Sequence, residues 1–384
     1  MADPFALRLS LFYGAFFFYA GLSMPFMPAW LAVRGLDTRE IGIVLATPLV
    51  ARVVVAPVST RLADRFSVLH PALVAAAVAS VAGFALVGLG TGFAPILATY
   101  ALAATVAAPV LPLADALALR GLKMQMRSYG SVRLWGSVTF IVANLGGGAL
   151  LARLGAGEVI WAVVAALALT AAAALALGRL APEAPEPAPE QRRDPSLWRS
   201  PAFVAVVLGA SLIQASHAVL QGFATLQWSA RGIGGTAIGA LWALAVVIEV
   251  GLFAASGRIV PRVGASGMIL LGGLGGVVRW TAMAFDPPAA VLPLLQGLHA
   301  LTFGATHLGT MHFLAQAVPS GRGATAQGDF AAVQGIVFAA AMGAAGVLVA
   351  GYGTFAYLAM AVASAAGGLL AVMALAWERP SPVA

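Results

Sequence analysis

The 384-residue chain is 61% hydrophobic and only 9% charged, with a mean hydropathy of +0.95. That composition excludes a water-soluble globular domain and defines an all-α integral membrane protein in contact with the lipid bilayer. The absence of cysteine excludes a disulfide framework, a thiol nucleophile and a thiolate metal site, and the net charge of +7 is scattered through short gaps between apolar runs, which speaks against a nucleic-acid partner.

In chain order, twelve predominantly apolar segments are long enough to cross a bilayer, near 8–33, 40–60, 70–90, 94–119, 128–152, 157–178, 201–229, 236–257, 266–285, 288–318, 323–349 and 353–377. Segment 288–318 is overlong, so strong tilt or extension past the bilayer is expected. The first segment reads as a retained span: Arg8 precedes it, but its apolar run is of spanning length and no A-x-A-like cleavage site follows. With both termini cytoplasmic, the inner loops carry fourteen Lys and Arg residues and the outer loops only Arg34, Arg39, Arg153 and Arg231. That bias sets an N-in, C-in orientation.

Residues 181–201, APEAPEPAPEQRRDPSLWRSP, are rich in proline and charge and read as an extended cytoplasmic linker. The linker at 181–200 separates an N-terminal six-helix bundle, 1–180, from a C-terminal one, 201–384, the 6+6 pattern of a transporter. A short internal repeat supports the division, because TRLADR (60–65) recurs as GRIVPR (257–262) at an offset of 197, after the second span of each half. The first copy contains Asp64 and Arg65.

Three cations, Arg52, Arg133 and Arg279, and three acids, Asp115, Glu249 and Asp329, fall inside predicted spans. An isolated charge at a helix centre costs about 2.5 to 3.5 kcal/mol, so each is expected to find a partner or a watery cavity. The repeat offset of 197 carries Arg52 onto Glu249 and Arg133 to the neighbour of Asp329. Equivalent positions thus carry opposite charges, either as bridges between the halves or as lining of a central cavity. Glu249, the deepest acid, is the preferred proton carrier.

Gln214, His217 and Gln221 share one face of the seventh span, and His299, Thr302 and Thr306 repeat the device in the tenth. Such stripes are either helix–helix glue or the wall of a wet cavity. Phe12, Phe16, Tyr19, Trp135 and Trp242 are the aromatic candidates for cavity lining. Pro109 and Pro112, just before Asp115, are expected to distort the fourth span. His307 and His312 are read as structural, and no histidine pair has metal-site spacing, so no metal or cofactor is expected.

The motifs YGSVRLWGS (129–137), SHAVLQGF (216–223), LWALAVVIEVGLF (241–253), GGVVRW (275–280) and LHALTFGATHLGTMHFLA (298–315) resemble the major facilitator superfamily, and within it the phenylpropionate permeases related to lactose permease-type proton symporters. The resemblance implies twelve transmembrane helices in two pseudo-symmetric six-helix bundles with alternating access, span 2 facing 11 and span 5 facing 8. Arg52 would then face Asp329, and Arg133 would face Glu249. It also implies that Asp115 and Arg133, spaced by 18 residues, bind substrate, and that Arg279 and His299, spaced by 20, belong to the proton-coupling group. Thr302 stands where the lactose permease type has an acid. In the superfamily's loop motif Thr60 takes the glycine position and Pro261 replaces the acid of the second copy. Asp64 and Arg65 remain, and the resemblance implies that they are gating-loop residues that fix the inward or outward state.

The expected function is proton-coupled uptake of a small aromatic carboxylate such as 3-phenylpropionate across an inner (plasma) membrane, with no enzymatic activity. Substrate contacts are expected from Arg133, Asp115, Trp135, Tyr19, Gln214, His217, Gln221 and Trp242, and proton coupling from Glu249, His299, Arg279, Asp329 and Arg52. A monomer suffices, since one chain holds both halves. A proton symporter for a sugar or nucleoside, and a drug-type efflux transporter, are the alternatives.

Overall fold

The computed structural model describes residues 4–124, 129–178, 197–318 and 323–378. Most of the expected linker and the loop arginines Arg127, Arg179, Arg192, Arg193, Arg322 and Arg379 lie outside the described residues. Among the described residues every regular element is helical, as a hydrocarbon solvent demands of a chain that must satisfy its own backbone hydrogen bonds.

The first half comprises α1 (Pro4–Val33), α2 (Thr38–Arg65), α3 (Leu69–Leu89), α4 (Phe93–Ala107), α5 (Val110–Met124), α6 (Tyr129–Leu154) and α7 (Val159–Ala176). The second comprises α8 (Pro201–Ala215), α9 (Ala218–Ala230), α10 (Gly235–Val263), α11 (Ala265–Ala284), α12 (Leu292–Gly297), α13 (Thr306–Ala317), α14 (Gly323–Tyr352) and α15 (Ala356–Glu378). Eleven apolar stretches among the described residues are long enough to cross a membrane, and the last, Thr325–Ala376, is 52 residues long. A 3₁₀ turn at Gly353–Phe355 breaks it into α14 and α15, so the described residues supply twelve spans. Three spans are interrupted: α4 with α5, α8 with α9, and α12 with α13.

Local sequence explains the starts and breaks. Asp37 caps α2 by accepting from the Glu40 amide while the Glu40 carboxylate returns to the Asp37 amide, a reciprocal capping box. Ser200 caps α8 through the Phe203 amide, with Pro201 at the first helical position, where its missing N–H costs nothing. Pro109 cannot continue the α4 ladder, so the helix opens at Ala108 and resumes as α5, carrying Asp115. The overlong tenth span is explained by its interior: a π-helix at Ala300–Ala305 joins α12 to α13, absorbing extra residues in a wide turn.

The same pairings recur in both halves. α1 packs on α6 and α7, α3 on α4 and α7, and α2 on α4. Six spans later, α8 packs on α14 and α15, α11 on α13 and α15, and α10 meets the π-helix and α13 through Leu252, Val260, Ala305 and Leu308. This is the pattern of parallel repeats. Close approach at α11–α15 depends on glycine, since a Cβ at Gly273 would stand 2.7 Å from the Gly368 Cα. By contact the chain divides into two compact units, Met1–Ala188 with Phe223–Ala243, and Pro189–Gly222 with Leu244–Ala384. The junction of α9 and α10 thus groups with the first six spans, where Gly148 on α6 lies against Gly235 and Gly239. Large apolar side chains such as Leu11, Val54, Leu134, Leu274 and Val362 are exposed, the surface a hydrocarbon phase covers. In the span Pro201–Ala230, by contrast, 83% of the most apolar window is buried.

Candidate functional site

In the first unit, an aromatic train runs beside one arginine. Phe12, Tyr13, Phe16, Phe17 and Tyr19 on α1 contact one another edge-on or stacked, and Tyr19 continues the train to Phe84 and Tyr100. Arg133 on α6 lays its guanidinium over this wall, 3.7 Å from the Phe17 ring centroid and 5.7 Å from that of Tyr13. Gly136 makes the room, because a Cβ there would stand 2.7 Å from Arg133 Nη1. Within its own unit, no carboxylate among the described residues pairs with Arg133.

Asp115, the acid expected beside that arginine, is engaged elsewhere. Tyr13 donates its hydroxyl to Asp115 Oδ1 at 2.6 Å and Tyr129 donates to the same oxygen at 2.9 Å. The two tyrosine rings meet edge-on with centroids 6.0 Å apart. Trp135 is exposed on α6, and Trp242 is buried with its Nε1 donating to Thr225 Oγ1 at 3.1 Å and its ring beside Trp228.

The second unit holds a separate polar cluster whose proton positions follow from donor and acceptor chemistry. Arg279 is fully buried on α11 and can only donate. It donates from Nη2 to Gln296 Oε1, and from Nη1 to Thr302 Oγ1 at 3.0 Å, with a longer 3.4 Å contact to His299 Nδ1. His299 Nδ1 is therefore the acceptor, and the ring proton sits on Nε2, which points at Glu249 Oε2 3.2 Å away. The His217 tautomer is fixed in the opposite sense. Its Nδ1 faces the Gln214 carbonyl at 3.0 Å and must donate, so Nε2 accepts from the Thr302 hydroxyl at 2.9 Å. Thr302 thus connects Arg279 to His217.

Two helix irregularities build this cluster. The chain opens between α8 and α9 at Ser216, whose hydroxyl donates to the Ile213 carbonyl at 2.6 Å. Ser216 also receives Trp280 Nε1 at 2.8 Å and Ser364 Oγ at 3.0 Å, so the opened turn is bonded on every side. The π-helix brings in Thr302, and Gly304 leaves a space against which Glu249 Cγ packs. His307, expected to be structural, stacks on Phe303.

Of the remaining expected residues, Gln214 and His217 belong to this second-unit cluster. Gln214 and His217 are buried and Gln221 is half-buried, so the stripe is not one uniform face. Arg52 is exposed on α2. Asp329 accepts from Trp198 Nε1 at 3.1 Å, beside the short 3₁₀ turn that precedes α8. Asp64 pairs with Arg120 at 2.8 Å, whereas Arg65 lies over Phe66. Tyr13, Tyr129, Gln296 and Arg120 were missed by sequence reasoning.

Twelve spans packed as two sets of corresponding helices, with charges bonded inside them, define a multi-pass membrane protein. A family model described as the MFS_1 like family matches residues 6–361, and the chain belongs to that family of major facilitator transporters. It is 33% identical over 328 residues to the probable 3-phenylpropionic acid transporter of Escherichia coli (strain K12), covering 80% of this chain and 81% of that protein. It is 31% identical over 285 residues to the maltose permease of Geobacillus stearothermophilus, covering 72% and 71%. Among solved structures, the nucleoside transporter NupG superposes with a TM-score of 0.84 at 15% identity, over 99% of this chain and 100% of that one. The D-xylose-proton symporter gives 0.73 at 16% identity, over 96% and 97%.

Proposed function

We propose that the protein takes up a small aromatic carboxylate together with a proton, by alternating access of two six-helix bundles at 1–180 and 201–384 joined by the linker at 181–200, in an inner (plasma) membrane with both termini cytoplasmic. The observation that carries this reading is Arg133, a cation within a span that lies on an aromatic wall with no carboxylate partner among the described residues of its own unit. A guanidinium beside aromatic rings offers a bidentate site for a carboxylate and apolar faces for an attached ring. The relative named for 3-phenylpropionic acid favours the same class.

Glu249 is the proton carrier in this reading. Arg279 occupies the side of His299 that would have to be protonated to make an imidazolium, which leaves the Glu249 carboxylate as the basic group facing His299 Nε2. One substrate anion and one proton then cross without net charge. The direct test is uptake of labelled 3-phenylpropionate into liposomes driven by an imposed pH gradient. Accumulation that collapses with the gradient supports the reading, and saturable uptake indifferent to the gradient rejects coupling.

A second reading, proton symport of a sugar or nucleoside, is favoured by the relative named as a maltose permease. It would use Asp115 and Arg133 for hydroxyl groups. Competition separates the two, because aromatic acids would leave sugar uptake untouched.

A further inference from the structure

Asp115 and Arg133 lie in the same unit and carry opposite charges, yet the carboxylate is turned to two tyrosines and the guanidinium to a phenylalanine. Two opposite charges inside a membrane span attract strongly. The geometry shows what competes. Tyr13 from α1 and Tyr129, one helical turn before Arg133 on α6, both donate to Asp115 Oδ1. The Tyr13 ring, against which the Tyr129 ring packs edge-on, also presents itself 5.7 Å from the Arg133 guanidinium carbon. Charge-assisted hydrogen bonds are among the stronger polar contacts, and here two of them satisfy one oxygen.

We propose that Tyr13 and Tyr129 form a clamp that holds the Asp115 carboxylate away from Arg133, keeping that guanidinium available to an anionic ligand. They are positioning residues for the carboxylate site, and the inference rests on the reading of Arg133 given above. The clamp also bears on ligand class. An acid released beside Arg133 would form a pair suited to hydroxyl groups and would repel a carboxylate. With its carboxylate clamped, the site presents a cation and aromatic faces.

The test uses the full-length protein in detergent and the double variant Tyr13→Phe/Tyr129→Phe. If the freed Asp115 holds Arg133 nine times in ten, the apparent Kd for 3-phenylpropionate rises about tenfold. Adding Asp115→Asn to that background removes the competitor and restores the affinity. No change in the double variant overturns the clamp, and so does a loss that Asp115→Asn fails to restore, since the tyrosines would then act by touching ligand.

A second readout needs no ligand. Phenylglyoxal labelling of Arg133, followed by mass spectrometry, is expected to slow in the double variant and to recover with Asp115→Asn. Wild-type protein that binds no aromatic acid, with labelling that still follows this pattern, removes the proposed substrate and leaves the clamp standing. Labelling that does not change across the three proteins overturns the clamp whatever the substrate.

Discussion

Glu249 and His299 meet with Oε2 3.2 Å from Nε2, while the other ring nitrogen of His299 is turned toward Arg279. The pair therefore has a direction: the ring proton faces the carboxylate, and the guanidinium closes the opposite side. Of the acids within spans, Glu249 is the one in contact with a histidine, Asp115 being bonded to tyrosines and Asp329 to a tryptophan.

Glu249→Gln keeps the shape and a hydrogen-bond acceptor for His299 but cannot carry a proton. Accumulation driven by a pH gradient is expected to fall to background, while exchange of labelled for unlabelled substrate persists. Uphill uptake at the wild-type level would remove Glu249 from the mechanism.

Thr302 links Arg279 to His217 through a buried hydroxyl. Thr302→Val strands the Nε2 acceptor of His217 and one donor of Arg279, a loss of about 1 to 3 kcal/mol for buried polar groups left unsatisfied. Thr302→Ser retains the hydroxyl and is expected to restore most of the thermal stability. Equal midpoints for the valine and serine variants would show that the hydroxyl bonds nothing of consequence.

Gly136 is the space into which the Arg133–Phe17 stack fits. Gly136→Val would collide with both side chains, and overpacking of this kind costs about 1 to 3 kcal/mol. Weaker aromatic-acid binding is expected, and an unaltered Kd would show that the stack does not prepare Arg133 for ligand.

The Asp64–Arg120 pair is roughly half exposed on both sides. Exposed pairs contribute less than about 1 kcal/mol, and salt screens them. Arg120→Ala is expected to lower the thermal midpoint slightly at low salt and not at all at high salt. A large, salt-independent drop would indicate a packing role for the arginine stem.

Much of this architecture was legible because the membrane imposes simple rules on sequence. Apolar runs gave the spans, Pro109 gave the break before Asp115, and charges within spans named Arg133, Asp115, Arg279 and Glu249. The break at Ser216 carried no proline or glycine signal, because a serine in an apolar run reads as continuing helix; Ser256 makes the same kind of bond inside the unbroken α10. Tyr13 and Tyr129 were invisible as partners of Asp115 because a tyrosine in an apolar span reads equally as packing or as an interfacial anchor. The Trp198–Asp329 bond joins residues 131 positions apart, a distance over which single-sequence periodicity carries no information.

The central claim is that Arg133 receives a carboxylate. Its most direct test is the thermal stability of purified wild-type and Arg133→Ala protein against 3-phenylpropionate, cinnamate, benzoate, several sugars and nucleosides, because a ligand that binds the folded state raises the midpoint. The account expects a rise confined to the aromatic acids in the wild type and absent from the variant. A rise with sugars or nucleosides alone, or an aromatic-acid shift that survives Arg133→Ala, would contradict it.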